Sequence, residues 1–256
     1  MQLLVGLGPE LSAERRERFA RHLPLEGVGE EGQRRLANAR VLVVGAGGLG
    51  SPILLYLAAA GVGTLGIVDS DVVDLTNLQR QVIHTTADVG RPKVTSAAEK
   101  LRALDPGANV VEHDLRLGPD NITGILAEYD IVVDATDNFP TRFLLDDAAT
   151  AAGKPVVWGA VLEWSAQVAV FWSGDAARAA GAPAEVRLRD IFPTPPPDGS
   201  VPTCVEVGLM GIVPGQAGTI MAAEVVKLVT GVGNPLLGRL LMIDLREGKY
   251  SEIPLA

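Results

Sequence analysis

Residues 40–50, ArgValLeuValValGlyAlaGlyGlyLeuGly, join a short aliphatic run to three regularly spaced glycines. The run Val41–Val44 is typical of a buried parallel strand, and the apolar residues that follow the glycines continue as a helix. Gly45, Gly47 and Gly50 form G-x-G-x-x-G at the turn, where glycine lets a phosphate approach the backbone. Because the free N–H groups of the helix point to the same place, the motif predicts a nucleotide phosphate cradle in a Rossmann-like fold. The motif does not indicate which nucleotide binds.

The rest of the chain alternates short aliphatic strands with helical stretches, which is typical of an α/β protein. We predict one domain over residues 1–256, with a mostly parallel sheet flanked by helices and continued by antiparallel strands on the C-terminal side. The predicted strands are 41–44, 64–69, 109–114, 131–138 with its exit loop, 155–161, 167–172, 239–245 and 249–254. The predicted helices include 11–22, 31–38, 90–104, 119–129, 141–152 and 207–230, the last interrupted at Pro214 and Gly215.

Composition disfavours several classes of protein. The net charge of −9 argues against a nucleic-acid partner. We find no apolar run of membrane-spanning length and no signal peptide in residues 1–10, so we expect a cytoplasmic protein without a membrane partner. The single cysteine, Cys204, excludes an intrachain disulfide and a zinc site built from cysteines.

Two segments depart from the alternating pattern. Residues 1–39 are predicted to form N-terminal helices, and the first is rich in arginine. These arginines, Arg21 among them, either form a solvated face, which is the favoured interpretation, or reach into a neighbouring subunit. Residues 173–203 are rich in Ala, Gly and Pro, which predicts a long irregular segment of the kind that often carries function.

Candidate binding residues follow the predicted strand ends, where open α/β sheets bind their ligands. Asp69 ends the second strand about 20 residues beyond the glycines, where a carboxylate is expected to accept a ribose hydroxyl. An ordinary polar strand end is the alternative. Asp134 follows the fourth strand and either binds or braces its loop. Asp137, nearby, is the better candidate for a divalent cation, because Mg²⁺ takes one or two carboxylates together with phosphate oxygens.

The cradle and Asp69 fit NAD and ATP equally well, so other charges must distinguish them. A pyrophosphate can be held largely by backbone amides, whereas a reacting triphosphate needs added cations and a metal ion. Arg80, Lys93 and Asp137 all lie near predicted carboxyl-end loops, which favours ATP. The alternative is an NAD-dependent oxidoreductase, although the histidines of the chain have no evident hydride-transfer partners.

Six stretches of the chain resemble the MoeB/ThiF family, relatives of the adenylation domain of ubiquitin-activating enzymes. They are ArgPheAlaArgHis (18–22), GlyAlaGlyGlyLeuGlySer (45–51), AspSerAspValValAspLeuThrAsnLeuGlnArgGln (69–81), GlyArgProLysVal (90–94), AspAlaThrAspAsn (134–138) and ValProThrCysValGluValGly (201–208). The glycine motif alone would be a weak signal. The ordered set, which spans nearly the whole chain, is specific.

The resemblance implies a homodimeric adenylyltransferase. Such an enzyme uses magnesium ATP to adenylate the C-terminal glycine of a small ubiquitin-like sulfur-carrier protein ending in Gly-Gly, and it releases pyrophosphate. No general base is required, because the carboxylate nucleophile is already an anion at pH 7. The pathway stays open between molybdopterin, thiamin, cysteine and thiolated-tRNA synthesis, and the sulfur is expected from a separate protein.

The resemblance also assigns roles by position. The implied catalytic residues are Arg21, as an arginine finger in the partner subunit's site, and Arg80, Lys93, Asp137 and Cys204. The implied nucleotide-binding residues are Gly45, Gly47, Gly48, Gly50, Asp69, Asp71, Thr76, Asn77, Leu78, Gln79, Arg80, Lys93, Asp137 and Asn138. Asp137 is also the implied Mg²⁺ ligand.

Cys204 and residues 173–203 match the flexible crossover loop of the family, which would form a channel for the tail of the carrier. Cys204 precedes a predicted helix, a position that lowers the pKa of a thiol. A covalent link to the carrier and an idle thiol stay equally open. The two Cys-x-x-Cys pairs of most relatives are absent from this sequence, so we predict no zinc. A binding protein that lost catalysis together with zinc is a third alternative, which the retained charged residues argue against.

Overall fold

The computed structural model describes residues 3–197 and 199–255, apart from the side chain of Val205. Within these residues the strands are β1 (Arg40–Val44), β2 (Thr64–Asp69), β3 (Asn109–Asp114), β4 (Ile131–Asp134), β5 (Val156–Leu162), β6 (Ser165–Phe171), β7 (Arg239–Asp244) and β8 (Lys249–Pro254). They form one sheet in the order β3-β2-β1-β4-β5-β6-β7-β8. Strands β1 to β5 are parallel, and β6, β7 and β8 pair antiparallel. The predicted fold class is confirmed.

Helices cover both faces of the parallel part of the sheet. They are α1 (Ala13–Arg18), α2 (Gly29–Asn38), α3 (Gly50–Ala60), α4 (Lys93–Leu104), α5 (Ile122–Ala127), α6 (Phe139–Ala151), α7 (Asp175–Ala179), α8 (Leu188–Ile191), α9 (Cys204–Val207) and α10 (Ile212–Thr230). In β1, Val41 and Val43 join the core with α3, α4 and α10, whereas Leu42 and Val44 join the core with α5 and α6. Successive strand residues face opposite sides of a sheet, so burial on both sides explains the unbroken aliphatic run.

The cradle lies at the carboxyl edge of the sheet. Val44, the last residue of β1, pairs with Val68 on one side and with Asp134 on the other. The loops after β1, β2 and β4 therefore leave the sheet side by side, at the edge where open α/β sheets bind ligands.

The segment over residues 173–203 is more ordered than predicted, because it contains α7 and α8. Trp172 and Val186 exchange two backbone hydrogen bonds of 2.9 and 3.1 Å, which tie the two ends of this part together. Within 193–197 and 199–203 there is no helix or strand, in agreement with the prediction. Asp198 lies outside the described residues.

The helix predicted over 207–230 begins later, at Ile212, as α10, and the predicted interruption at Pro214 and Gly215 is wrong. Pro214 is the third residue of α10. The N–H groups of a first helical turn have no acceptor within the helix, so a proline there removes no hydrogen bond. Pro214 therefore belongs to the beginning of a helix that runs without a break to Thr230.

Helix α10 also corrects the expectation about apolar length. It has 19 residues and a mean hydropathy of 1.3, enough by length and composition to cross a membrane. In the structure Val213 and Met221 are fully buried in the protein core. Glu224 is buried too, and it accepts a hydrogen bond from the Leu236 N–H at 2.8 Å. The apolar composition thus matches packing against α3, β5 and β6.

Candidate active site

The glycine loop between β1 and α3 is held by close backbone contacts. Gly45 has a φ of +100°, and a β-carbon there would lie 2.8 Å from the carbonyl oxygen of Ala135. A β-carbon on Gly50 would lie 1.9 Å from the carbonyl oxygen of Gly45. Glycine is therefore required at Gly45 by backbone conformation and at Gly50 by the close approach of α3 to its own loop.

Two amides of this loop are free to bind an anion. Gly47 and Gly48 are half-buried. Among the described residues, no atom accepts a hydrogen bond from the N–H of either one. Both belong to the turn that opens α3, where unpaired N–H groups and the positive end of the helix dipole favour negative charge. This geometry suits a phosphate group.

Asp69 braces the same loop through both of its carboxylate oxygens. Oδ2 accepts a hydrogen bond from the Ala46 N–H at 2.8 Å, and Oδ1 accepts one from the Asp71 N–H at 2.9 Å. Each carboxylate oxygen has a second lone pair, so capacity for a ribose hydroxyl remains. The bracing of a strand end is observed, and ribose binding stays a prediction.

Lys93 begins α4 and faces the carboxylate of Asp71. Its Nζ lies 2.8 Å from Oδ2 of Asp71, and the Lys93 side chain is only 7% exposed, whereas that of Asp71 is 68% exposed. Lys93 is thus not an ordinary solvated lysine. Asp71 holds the ammonium group in place, and binding of a phosphate by Lys93 stays a prediction.

The residues between 74 and 79 mainly build a tight turn. Asp74 accepts hydrogen bonds from the N–H and the hydroxyl of Thr76, at 2.8 and 2.6 Å. Asn77 Oδ1 accepts from the Asp74 N–H at 3.1 Å. Leu78 is half-buried, and the backbone of Gln79 packs so closely on Gly211 that a β-carbon there would lie 2.1 Å from the Gln79 oxygen. These contacts hold the loop that carries Arg80.

Arg80 lies across the cradle. Its Cγ is 3.6 Å from the position that a β-carbon of Gly48 would take. Its Nη1 donates a hydrogen bond to the carbonyl oxygen of Thr76 at 3.1 Å. The stem of Arg80 therefore touches the glycine loop directly, and Arg80 as a whole is half-exposed.

The loop after β4 contains one buried and one exposed carboxylate. Asp134 is buried, and its Oδ1 accepts hydrogen bonds from the N–H and the hydroxyl of Thr136, at 3.0 and 2.7 Å. Asp134 therefore braces the loop. Asn138 caps α6 by accepting from the Thr141 N–H at 3.0 Å. Asp137 is exposed, and within residues 3–197 and 199–255 it forms no ion pair with a lysine or arginine.

Arg142 is a buried cation that the sequence reasoning missed. Its Nη2 donates a hydrogen bond to the Thr136 carbonyl at 2.8 Å, and its guanidinium group lies over the rings of Phe139 and Trp158. Burial lowers the pKa of Arg142, and the charge of Asp134 opposes that shift. The signal available in the sequence was a lone arginine in an otherwise apolar stretch just after the Asp137 loop.

Cys204 corrects a second expectation. It begins α9, but burial raises the pKa of its thiol above the usual value, although the nearby Arg80 lowers it. Its Sγ lies 3.8 Å from the Val161 carbonyl oxygen. The predicted lowering by a helix N-terminus is wrong, because α9 has only four residues and the thiol is half-buried. Cys204 lies near enough to Arg80, Asp137 and Arg142 for their charges to act on it.

Two further polar residues beneath the cradle were not predicted. Gln81 is buried, its Oε1 has no hydrogen-bond partner among the described atoms, and its Nε2 lies 3.5 Å from the β-carbon position of Gly47. His84 is 5% exposed and contacts the Ala46 carbonyl. The sequence offered no local signal for either one, because their partners are distant in the chain.

Arg21 is not brought to the cradle. It is exposed in the turn after α1. Phe19, two residues earlier, packs against Gly61, just beyond the end of α3. The cradle lies at the beginning of α3, whose 11 residues span about 16 Å. Within one chain Arg21 therefore lies at the far end of α3, and its role as an arginine finger stays a prediction.

Arg80 and Lys93 lie in the segment between β2 and β3, and Asp137 follows β4, so all three lie at the edge of the sheet that carries the cradle. Arg80 touches Gly48, and Lys93 lies close enough to His84 to lower the pKa of that residue. Asp137 follows β4, the neighbour of β1, and its charge raises the pKa of Cys204, whereas the charge of Arg80 lowers it. Two cations and a carboxylate with no ion pair in the described residues therefore lie on the edge of the sheet that carries the unpaired amides. Their convergence on one polyphosphate stays a prediction.

Comparison with known proteins identifies the family. The sequence profile described as the ThiF family matches residues 19–256. The probable adenylyltransferase/sulfurtransferase MoeZ of Mycobacterium tuberculosis is 52% identical over 250 residues, which are 98% of this chain and 62% of that protein. The sulfur carrier protein adenylyltransferase of Thermus thermophilus is 48% identical over 240 residues, 94% of this chain and 87% of that protein.

A solved structure agrees in fold. The crystal structure of E. coli MccB superposes with a TM-score of 0.79 at 21% identity, over 96% of this chain and 71% of that chain. At such low sequence identity, the similarity supports the fold and does not indicate a function. The profile covers nearly the whole chain and two relatives named as adenylyltransferases share about half of its residues, so the chain belongs to the ThiF family.

Proposed function

We propose that this protein is an ATP-dependent adenylyltransferase. Its substrate would be a small ubiquitin-like sulfur-carrier protein, whose C-terminal glycine becomes an acyl-adenylate as pyrophosphate is released. The observation that supports the proposal is the contact of Arg80 with Gly48 beside the unpaired amides of Gly47 and Gly48, with Lys93 and Asp137 at the same edge of the sheet. The MoeZ and Thermus relatives, both named as adenylyltransferases, support it.

The reaction is one that these residues suit. A carboxylate oxygen of the carrier attacks the α-phosphorus of ATP, and the bond from that phosphorus to the oxygen of pyrophosphate breaks. The carboxylate is an anion at pH 7, so no proton has to be removed. The main barrier is repulsion and misalignment between two anions, and fixed cations with preorganised N–H groups lower such a barrier. Arg80 and the amide of Gly48 would share one phosphate, and Lys93 would exchange part of its contact with Asp71 for another.

Asp137 is the residue that would hold Mg²⁺. It is exposed and free of ion pairs within the described residues, so its oxygens are available. Mg²⁺ commonly takes one or two carboxylates and completes its shell with phosphate oxygens and water. The ion would supply further neutralisation of phosphate charge when bound.

We also propose a cytoplasmic homodimer that receives sulfur from a separate protein. The position of Arg21 motivates the dimer, because this exposed arginine lies one helix length away from the cradle of its own chain. A second chain is the simplest means of bringing it to a nucleotide. Mixing Arg21→Ala chains with Lys93→Ala chains should then restore part of the activity, since one composite site would be intact; no restoration would contradict the shared site.

Pyrophosphate exchange tests the main proposal. ATP should exchange with labelled pyrophosphate only in the presence of Mg²⁺ and a carrier that ends in Gly-Gly, and mass spectrometry should detect the acyl-adenylate. Arg80→Ala and Asp137→Ala should each abolish exchange with the fold intact. Arg102→Ala is the matched control, because Arg102 lies near the far end of α4 from Lys93 and pairs with Glu112. Full activity of either site variant would contradict the proposal.

The NAD-dependent alternative is not favoured by the relatives, which are named as adenylyltransferases. Calorimetry separates the two readings. Binding of NADH with no binding of ATP would overturn the adenylyltransferase proposal, whereas the proposal expects the reverse.

A further inference from the structure

Both backbone groups of Ala46, which lies between the first two glycines of the cradle, are bound by side chains. The Ala46 N–H donates to Asp69 at 2.8 Å, and the Ala46 carbonyl oxygen lies 3.0 Å from Nε2 of His84. His84 comes from the loop before α4, 38 residues along the chain. The buried His84 side chain thus binds one backbone carbonyl of the phosphate cradle.

Helix α4 supplies the other side of this contact. Nδ1 of His84 lies 2.9 Å from Oγ of Ser96, and Lys100 Nζ donates to the same oxygen at 3.2 Å. Lys93, Ser96 and Lys100 are spaced i, i+3 and i+7, which places them on one face of α4. The face that carries the Lys93 ammonium to the site therefore also carries the partners of His84.

The hydrogen-bond partners determine the tautomer of His84. A carbonyl oxygen can only accept, so Nε2 carries the proton. Nδ1 of the neutral ring then accepts from the Ser96 hydroxyl, whose oxygen accepts from Lys100. Every donor points the same way, from Lys100 through Ser96 and His84 to Ala46. Such a chain polarises each of its members in turn.

The charged groups that face His84 favour the neutral ring. Burial lowers the pKa of His84; the hydrogen bond with Ala46 opposes this, and the charge of Lys93 adds to the lowering. Asp88 and Lys100 also act on the ring, in opposite directions, and they pair with each other at 2.5 Å. The uncharged ring keeps Nδ1 available as the acceptor for Ser96.

Fixing the Ala46 oxygen also fixes the next amide. The Ala46–Gly47 peptide is planar and trans, so its carbonyl and the Gly47 N–H point in opposite directions. With the oxygen held toward His84, the Gly47 N–H points away from it. That N–H has no acceptor among the described residues, and Gly47 is half-buried. The hydrogen bond on the oxygen also makes the N–H a stronger donor.

We propose that His84 is a positioning residue that aims the Gly47 N–H at a phosphate of the nucleotide, with Ser96 and Lys100 holding the ring. This inference rests on the proposed function, because it takes ATP as the nucleotide. It gives α4 two roles at the site: Lys93 supplies charge, and Ser96 and Lys100 hold the backbone donor through His84.

Substitutions of His84 test the inference through ATP binding. His84→Phe fills the space without either hydrogen bond, so magnesium ATP should bind about tenfold more weakly by calorimetry. His84→Gln can donate to Ala46 and accept from Ser96, so its affinity should return to within about threefold of the original. His113→Phe is the matched control, because His113 is also partly buried and bonded, to Tyr129 at 2.8 Å, but faces the other core.

Steady-state exchange separates positioning from general damage. In His84→Phe the KM for ATP should rise by about tenfold while the KM for the carrier stays unchanged. Equal ATP affinity in His84→Phe and the original protein would overturn the inference. Equal weakening in His113→Phe, or no rescue by His84→Gln, would overturn it as well.

The tautomer can be read from the original protein, independently of folding of any variant. Nitrogen-15 NMR of the imidazole should show the proton on Nε2 of His84 at pH 7, and a proton on Nδ1 would refute the arrangement. If the protein binds ATP but no carrier supports exchange, the proposed function is wrong. The ATP affinities of the His84 variants then still test whether His84 positions the Gly47 N–H. If it binds no ATP, both proposals fail together.

Discussion

The Arg80 side chain packs against Gly48, with Cγ 3.6 Å from the position where a β-carbon of Gly48 would lie. This contact joins the loop after β2 to the loop after β1. Pro214 closes the other side, with its Cβ and Cγ both 3.3 Å from the same position. Gly48 therefore leaves just enough space for the arginine stem and for α10 to meet over the cradle.

Gly48→Ala should weaken ATP binding more than it weakens the fold. The new methyl group would press on Pro214 and on the Arg80 stem, and Arg80 is flexible enough to move. We expect a loss of stability within about 1–2 kcal/mol in urea unfolding, because small overpacking is partly relieved. The ATP affinity should fall severalfold as Arg80 moves. An unchanged affinity would mean that the position of Arg80 does not matter for the nucleotide.

Gly50→Ala is the contrasting variant. Its β-carbon would lie 1.9 Å from the Gly45 oxygen, which is backbone and cannot move alone. We expect a loss of at least about 3 kcal/mol or failure to fold, because the whole helix has to shift. A soluble Gly50→Ala protein with the original melting temperature would contradict the observed packing.

Arg142 should matter for stability more than the exposed Arg189. Arg142→Met leaves the Thr136 carbonyl oxygen without its donor and removes the positive charge that favours ionised Asp134, so we expect a loss of about 1–3 kcal/mol. Arg189 pairs with half-exposed Asp147 at 2.7 Å, so Arg189→Met should change the free energy of unfolding by about 1 kcal/mol or less. Urea unfolding of both variants at pH 7 checks this, and equal losses would refute the distinction.

Asp146 should anchor the segment that carries α8. It is buried and accepts from the Leu188 N–H and from Arg187, each at 3.0 Å. Asp146→Ala leaves that N–H unpaired, which should lower the free energy of unfolding by about 1–3 kcal/mol. Trypsin should then cleave after Arg187 faster, because the segment opens more often. Asp147→Ala removes only exposed pairs and should leave the cleavage rate close to the original. Faster cleavage in Asp147→Ala than in Asp146→Ala would reverse this assignment.

Cys204 should react slowly with iodoacetamide at pH 7. The thiolate is the reactive form, and burial raises the pKa of this thiol, so less of it is ionised than in an unfolded chain. Arg80→Ala removes a cation that lowers the pKa and should slow alkylation further, whereas Asp137→Ala should speed it. Mass spectrometry of the single cysteine measures all three rates. A rate above that of the unfolded protein would contradict the raised pKa.

The parallel part of the fold could be predicted because its signals are local. Strands β2 and β3 have the predicted bounds, since each aliphatic or β-branched run ends at an aspartate or begins after a turn. The placement of Arg80, Lys93 and Asp137 at one edge of the sheet could be predicted too, because parallel strands bring their carboxyl ends to one edge. The sheet topology alone is enough to place these three residues at one edge, although they are far apart in sequence.

The errors and omissions have a common cause in distant contacts. The order of α8 depends on Arg187 and Asp146, which are 41 residues apart. The pKa of Cys204 follows its burial and not the local helix terminus. Arg142 and His84 bind carbonyl oxygens that no sequence pattern assigns to them. The hydrogen-bond partners of buried polar side chains are therefore the part of the site that could not be predicted from the sequence.

The pH dependence of stability should report the buried neutral state of His84. In the unfolded chain a histidine titrates near 6.5, and burial lowers the pKa of His84 in the folded protein. The unfolded chain therefore binds more protons below that pH, so the free energy of unfolding should fall as the pH drops from 7.5 to 5.5. His84→Gln lacks this contribution, and its curve should be flatter by up to about 1 kcal/mol at pH 5.5. The other buried groups contribute equally to both curves, so their contributions cancel in the comparison. One of them is His113, whose pKa is also lowered by burial. Parallel curves for the two proteins would show that His84 takes up a proton as readily in the folded state as in the unfolded one, and the one-way chain of donors from Lys100 to Ala46 would then be wrong.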